Sequence, residues 1–209
     1  MDLATERLAL VRRGRALEYF TIGYNALEGI VSITAGLLAG SVSLTGFGLD
    51  SAIEVGSSAA LLWRLRRDAN ECRREAAERI ALRIAGWCFL ALAAYLVCDS
   101  ALTLILRKAP EQSIAGIAVA SASAVLMPLL ARAKRNIAQR IGSAALRADS
   151  KQADFCAYLS ALVLVGLVLN SALGWWWADP IAALAMGPVI VREGLAALSG
   201  KSCCGEGCG

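Results

Sequence analysis

The stretch Leu44-Thr45-Gly46-Phe47-Gly48-Leu49-Asp50-Ser51-Ala52-Ile53-Glu54-Val55-Gly56 decides how this chain is read. It is apolar enough to cross a bilayer, yet it carries two acids four positions apart. In a helix that spacing puts both carboxylates on one face, about one turn apart. An acid at mid-membrane costs roughly 2.5–3.5 kcal/mol on insertion scales. Two such costs on one face imply a ligand that offsets them, so Asp50 and Glu54 read as a cation site inside a membrane.

Composition agrees. Hydrophobic residues make up 57% of the 209-residue chain, and the mean hydropathy is +0.58. These values place it in the integral membrane class, with length for one bundle and little for a second globular domain. Six apolar spans are expected at roughly 18–38, 44–63, 84–106, 113–131, 148–170 and 177–198. The fold class is therefore an all-α, six-helix transmembrane bundle. Residues 1–17 form a cytoplasmic N-terminal segment, 18–198 the transport domain and 199–209 a cytoplasmic tail.

The net charge of +4 is explained by topology, and nucleic acid is not an expected partner. Arg7, Arg12, Arg13 and Arg15 precede span one, and Arg64 to Arg83 fill the second link. Arg132, Lys134, Arg135, Arg140, Arg147 and Lys151 fill the fourth; only Arg107 and Lys108 fall on the other side. The positive-inside rule then puts both termini in the cytoplasm of a bacterial-type inner membrane. No cleavable signal peptide is read in the polar, basic first fifteen residues. Trp175, Trp176 and Trp177 read as an interfacial aromatic anchor.

Span five supplies a partner for the acid pair in Ala148-Asp149-Ser150-Lys151-Gln152-Ala153-Asp154-Phe155-Cys156, where Gln152 and Cys156 share a face. Helical rise puts Glu54 about 15 Å from the outer surface and Cys156 about 12 Å from the inner one. In a core about 30 Å thick these heights nearly coincide. Asp50, Glu54, Gln152 and Cys156 can therefore face one ion. Gln152 reads as a carbonyl ligand or an interhelical hydrogen bond; Cys156 reads as a thiolate ligand or a small core residue.

Two carboxylates and a thiolate suit zinc, cadmium, cobalt or iron better than magnesium or calcium. Zinc leads that series, although the chain has no histidine. Asn25 and Glu28 in span one, with Asp149 and Asp154 in span five, read as pathway or supporting residues. Asp99 and Asp179 read as exit-side or helix-start residues. Of the seven cysteines, Cys72, Cys88, Cys98 and Cys156 are scattered, which argues against a disulfide framework. Cys203, Cys204 and Cys208, crowded into the tail, read as a soft-metal capture site or as incidental thiols.

These segments together resemble the cation diffusion facilitator family of divalent-metal/proton antiporters. Gly40-Ser41-Val42-Ser43-Leu44 and Asp50-Ser51-Ala52-Ile53-Glu54 are similar to the family's first loop and second-helix D-x-x-x-D site. Arg147-Ala148-Asp149 resembles the start of its fifth helix, and Gly174-Trp175-Trp176-Trp177-Ala178-Asp179-Pro180 the loop and A-D-P start of its sixth. The resemblance implies transport ligands at Asp50, Glu54, Gln152 and Cys156, proton antiport, and a homodimer. The family usually carries H-x-x-x-D or D-x-x-x-D on the fifth helix, so this chain departs at Gln152 and Cys156. The family's C-terminal cytoplasmic domain is not expected here, which would leave dimerisation to the membrane helices.

The expected activity is export of a divalent metal cation by alternating access. An alternative is a non-transporting membrane sensor or scaffold with a metal-binding tail. A thiol enzyme is disfavoured because the chain has neither a C-x-x-C motif nor a histidine base.

Overall fold

Long runs of Ala, Leu, Ile and Val with few breakers produce six helices in the computed structural model, which describes residues 3–66, 71–141 and 144–199. They are α1 (Leu3–Ala39), α2 (Val42–Arg66), α3 (Glu71–Leu106), α4 (Ile114–Ile141), α5 (Ala144–Leu173) and α6 (Ala178–Leu198). Several outrun the expected spans. Helix α1 starts at Leu3 rather than near residue 18, and α4 continues past 131 to Ile141. Hydropathy marks only the bilayer portion, whereas the flanking Ala-, Leu- and Arg-rich sequence is itself helix-forming. The tail cysteines Cys203, Cys204 and Cys208 lie outside the described residues.

Helix ends follow local chemistry. Gly40 (φ 65°) and Gly174 (φ 66°) take the left-handed conformation that ends α1 and α5. Ser113 opens α4, its Oγ accepting the Gly116 N–H at 3.0 Å.

Five of the helices are long and apolar enough to cross a membrane: α1 from Ala9, α3 from Arg83, α4, α5 from Asp149, and α6. Helix α2 is the exception in composition, not in length. Its 25 residues rise about 37 Å, more than a hydrocarbon core. Asp50 and Glu54 lower its hydropathy, and its place in the bundle makes this tolerable. It packs against α1, α3, α5 and α6, so its acids face protein rather than lipid. The chain is thus an all-α, multi-pass membrane bundle.

Close crossings rely on small residues. A Cβ on Gly48 of α2 would lie 2.7 Å from the Ile33 backbone nitrogen and 3.0 Å from the Gly29 carbonyl of α1. Likewise a Cβ on Gly86 of α3 would meet the Gly194 carbonyl of α6 at 2.9 Å. Helix α4 packs chiefly on α5, and α3 chiefly on α6. The apolar core between them includes Phe47, Leu96, Met127, Leu159, Val163, Met186 and Ile190. Leu38, Ile105 and Ile114 point outward, as lipid-facing residues do.

Candidate cation site

Helix α2 presents Asp50 and Glu54 inward, with 0% and 2% of their surface exposed. Their environments differ sharply. Glu54 is gripped from both sides by amides: Asn25 Nδ2 of α1 donates to Oε2 at 2.8 Å, and Gln152 Nε2 of α5 donates to Oε1 at 2.9 Å. Asp50 has no such support. Both of its carboxylate oxygens are buried without a hydrogen-bond partner, as is Asn25 Oδ1. Buried acceptors are nearly always satisfied, so three orphans around one acid pair mark a place where something cationic belongs.

The structure divides the four expected ligands. It joins Gln152 to Glu54, but it turns Cys156 to Glu28, with Sγ donating to Oε1 at 3.7 Å. Glu28, 1% exposed, accepts Ser51 Oγ at 2.6 Å as well, and Ser123 Oγ of α4 also donates to it. Ser123 shares a 2.7 Å hydrogen bond with the Tyr24 hydroxyl. Glu28, read from sequence as a pathway or supporting residue, therefore meets hydroxyls and a thiol. Among the described residues, no three Cys, Asp or Glu groups converge closely enough to hold a metal ion in this conformation.

Beneath Glu54 lies a cavity of about 10 Å³, room for roughly one water, lined by Asn25, Glu54, Ser58, Gln152, Asp149 and Lys134. It joins the acid pair to a second polar group that the sequence reading missed. The Lys134 side chain of α4 is fully buried, with Nζ 3.2 Å from Glu18 Oε2 of α1 and paired also to Asp149 of α5. In the sequence Lys134 stands out only as one of the topogenic charges. Its spacing from Ser123, Met127 and Ala131, all buried on α4, was the available signal. Asp154 instead pairs with Arg135 in the open, their side chains 50% and 43% exposed.

The outer end is organised by Asp179. It stands in the first turn of α6, as expected, but its carboxylate serves α2: it accepts Ser41 Oγ at 2.6 Å, the Val42 N–H at 2.9 Å and Ser43 Oγ at 2.5 Å. Those bonds satisfy the N-terminal donors of the acid-bearing helix. Asp99, receiving the Tyr95 hydroxyl at 3.0 Å, lines an outer cavity of about 570 Å³ with Thr45, Thr103, Lys108 and Glu111.

The family model for the cation efflux transmembrane domain matches residues 20–199, which include Asn25, Glu28, Asp50, Glu54, Gln152 and Cys156. The chain belongs to the cation efflux family. Among curated relatives, an uncharacterized transporter of Synechocystis sp. is 30% identical over 84% of this chain and 59% of its own length. The uncharacterized transporter YdbO of Bacillus subtilis is 25% identical, over 90% of this chain and 66% of that protein. Transmembrane protein 163 of Xenopus laevis is 26% identical, over 86% of this chain and 64% of that protein. The chain thus spans about three fifths to two thirds of the length of these relatives.

Proposed function

We propose that this cation efflux protein is a secondary transporter that exports a divalent metal cation of the zinc, cadmium, cobalt and iron class, by alternating access and proton antiport. The observation that carries the reading is Asp50, whose fully buried carboxylate has no protein partner and stands one helical turn from Glu54. Asp50 and Glu54 supply the binding charge, Gln152 an auxiliary contact, and Cys156 stands at the fourth family position. The clustering of basic residues in the links between helix hairpins supports cytoplasmic termini and a bacterial-type inner membrane. A pair of chains would associate through the membrane helices.

The test is metal flux in proteoliposomes across zinc, cadmium, cobalt, iron and manganese ions, with and without a pH gradient. Uptake should be saturable, should dissipate the proton gradient, and should fall to background in Asp50→Ala. Flux surviving in Asp50→Ala would falsify the site. Absence of flux in the unaltered chain, with metal still bound by the tail cysteines, would favour the sensor alternative.

A further inference from the structure

We infer that Asn25 of α1 is a specificity-determining ligand of the cation site, and that the site so completed prefers an oxygen-seeking first-row dication, manganese(II), iron(II) or cobalt(II), to cadmium(II). The inference rests on the reading of Asp50 and Glu54 as the transport site and revises its metal preference, away from cadmium(II) and toward manganese(II).

Asn25 is 3% exposed, and it faces Glu54 with the same chemistry as Gln152. Each amide spends one N–H on a different oxygen of the same carboxylate, at 2.8 and 2.9 Å. An amide fixed through nitrogen necessarily presents its carbonyl nearby. In Asn25 that carbonyl oxygen is buried and has no donor. It joins the two unpartnered oxygens of Asp50, so three acceptors around Glu54 lack a donor or a cation. A water donates to two of them at most and leaves the acids' charge uncompensated; a cation answers all three and offsets that charge. Asn25 also lines the small cavity beside Glu54.

The thiol is engaged elsewhere. Cys156 Sγ donates its hydrogen to Glu28, and Ser51 and Ser123 also donate to that carboxylate. Sγ is directed to Glu28, a carboxylate outside the Asn25–Glu54–Gln152 cluster. With Cys156 so held and no histidine in the chain, the donors left to the ion are carboxylate and amide oxygens. Such a set suits harder dications and gives cadmium no advantage.

The experiment uses the full chain with Cys203, Cys204 and Cys208 changed to serine, so that the tail does not contribute. Cobalt(II) titration should give a bound-ion spectrum without thiolate-to-metal charge transfer, and Cys156→Ser should leave it unchanged. Asn25→Ala should weaken manganese(II) and cobalt(II) binding by about tenfold or more while affecting cadmium(II) less. Asn25→Asp, which keeps the shape and an oxygen donor, should bind manganese(II) at least as well as the parent and carries the test if the alanine variant does not fold. A charge-transfer band abolished by Cys156→Ser, unaltered manganese(II) binding in Asn25→Ala, or weaker manganese(II) binding in Asn25→Asp overturns the inference. Asp50→Asn reports separately on the underlying site: binding of every metal at parental strength in that variant means the acid pair is not the cation site at all.

Discussion

Asp179 and Ser43 meet at 2.5 Å across 136 residues of sequence, carboxylate to hydroxyl, where α6 begins and α2 begins. The contact makes one acid the cap of a helix to which it does not belong. The helix so capped is the one that carries Asp50 and Glu54.

Removing that cap leaves Ser41, Val42 and Ser43 with buried donors and no acceptor. Asp179→Ala should therefore destabilise the bundle by about 1–3 kcal/mol and lower flux through loss of α2 positioning. Thermal unfolding in detergent, read beside transport, checks this. A melting temperature equal to that of the unaltered chain would show that α2 is held by other contacts.

Lys134 is the opposite kind of charge, a cation inside the protein. Deleting it strands Glu18 and Asp149, which are 11% and 9% exposed at their side chains. Lys134→Ala should cost about 3–5 kcal/mol. Neutralising the stranded acids as well, in Lys134→Met with Glu18→Gln and Asp149→Asn, should recover much of the loss. If the triple variant is no more stable than the single one, the ion pairs are not the source of the effect.

Asp154 and Arg135 supply the contrast. Their pair is solvent-exposed, where such contacts contribute about 0–1 kcal/mol. Asp154→Ala should leave both stability and flux near the parental values, so a transport defect in that variant would return Asp154 to the cation pathway.

The α1–α2 crossing predicts a steric effect. Valine at Gly48 would drive its Cβ to 2.7 Å from the Ile33 backbone nitrogen, and overpacking of this kind costs about 1–3 kcal/mol. Gly48→Val should shift Asn25 away from Glu54 as α1 is displaced, reducing flux more than Gly48→Ala does. Parental flux in both variants would show that the spacing of α1 and α2 is not limiting.

The bundle itself was legible because lipid leaves so few choices: apolar runs of bilayer length must be helices, and the acids on α2 must turn inward. Depth and helical phase matched Glu54 with Cys156 in height, whereas it is Gln152, one turn away on the same face of α5, that bonds to Glu54. The rest was hidden for identifiable reasons. Which acid Cys156 meets depends on how α1 packs against α2, α4 and α5, and periodicity within one helix does not encode that. Lys134 looked like every other basic residue of the inner surface because its charge was counted without asking which face of α4 it occupies. Asp179 stood at the start of α6 as its position suggested, but its hydrogen bonds run to another helix, and sequence offers no measure of that reach.

The cap on α2 also orders events in time. Five helices are synthesised before the residue that closes the outer end of the second one emerges, and chains fold in part as they are made. Until α6 inserts, the first amides of α2 have no carboxylate to bind, and its two acids sit on a helix not yet secured at its outer end. The Asp179 contact thus works as a completion check on assembly: the cation site acquires its full support only when the sixth helix is in place.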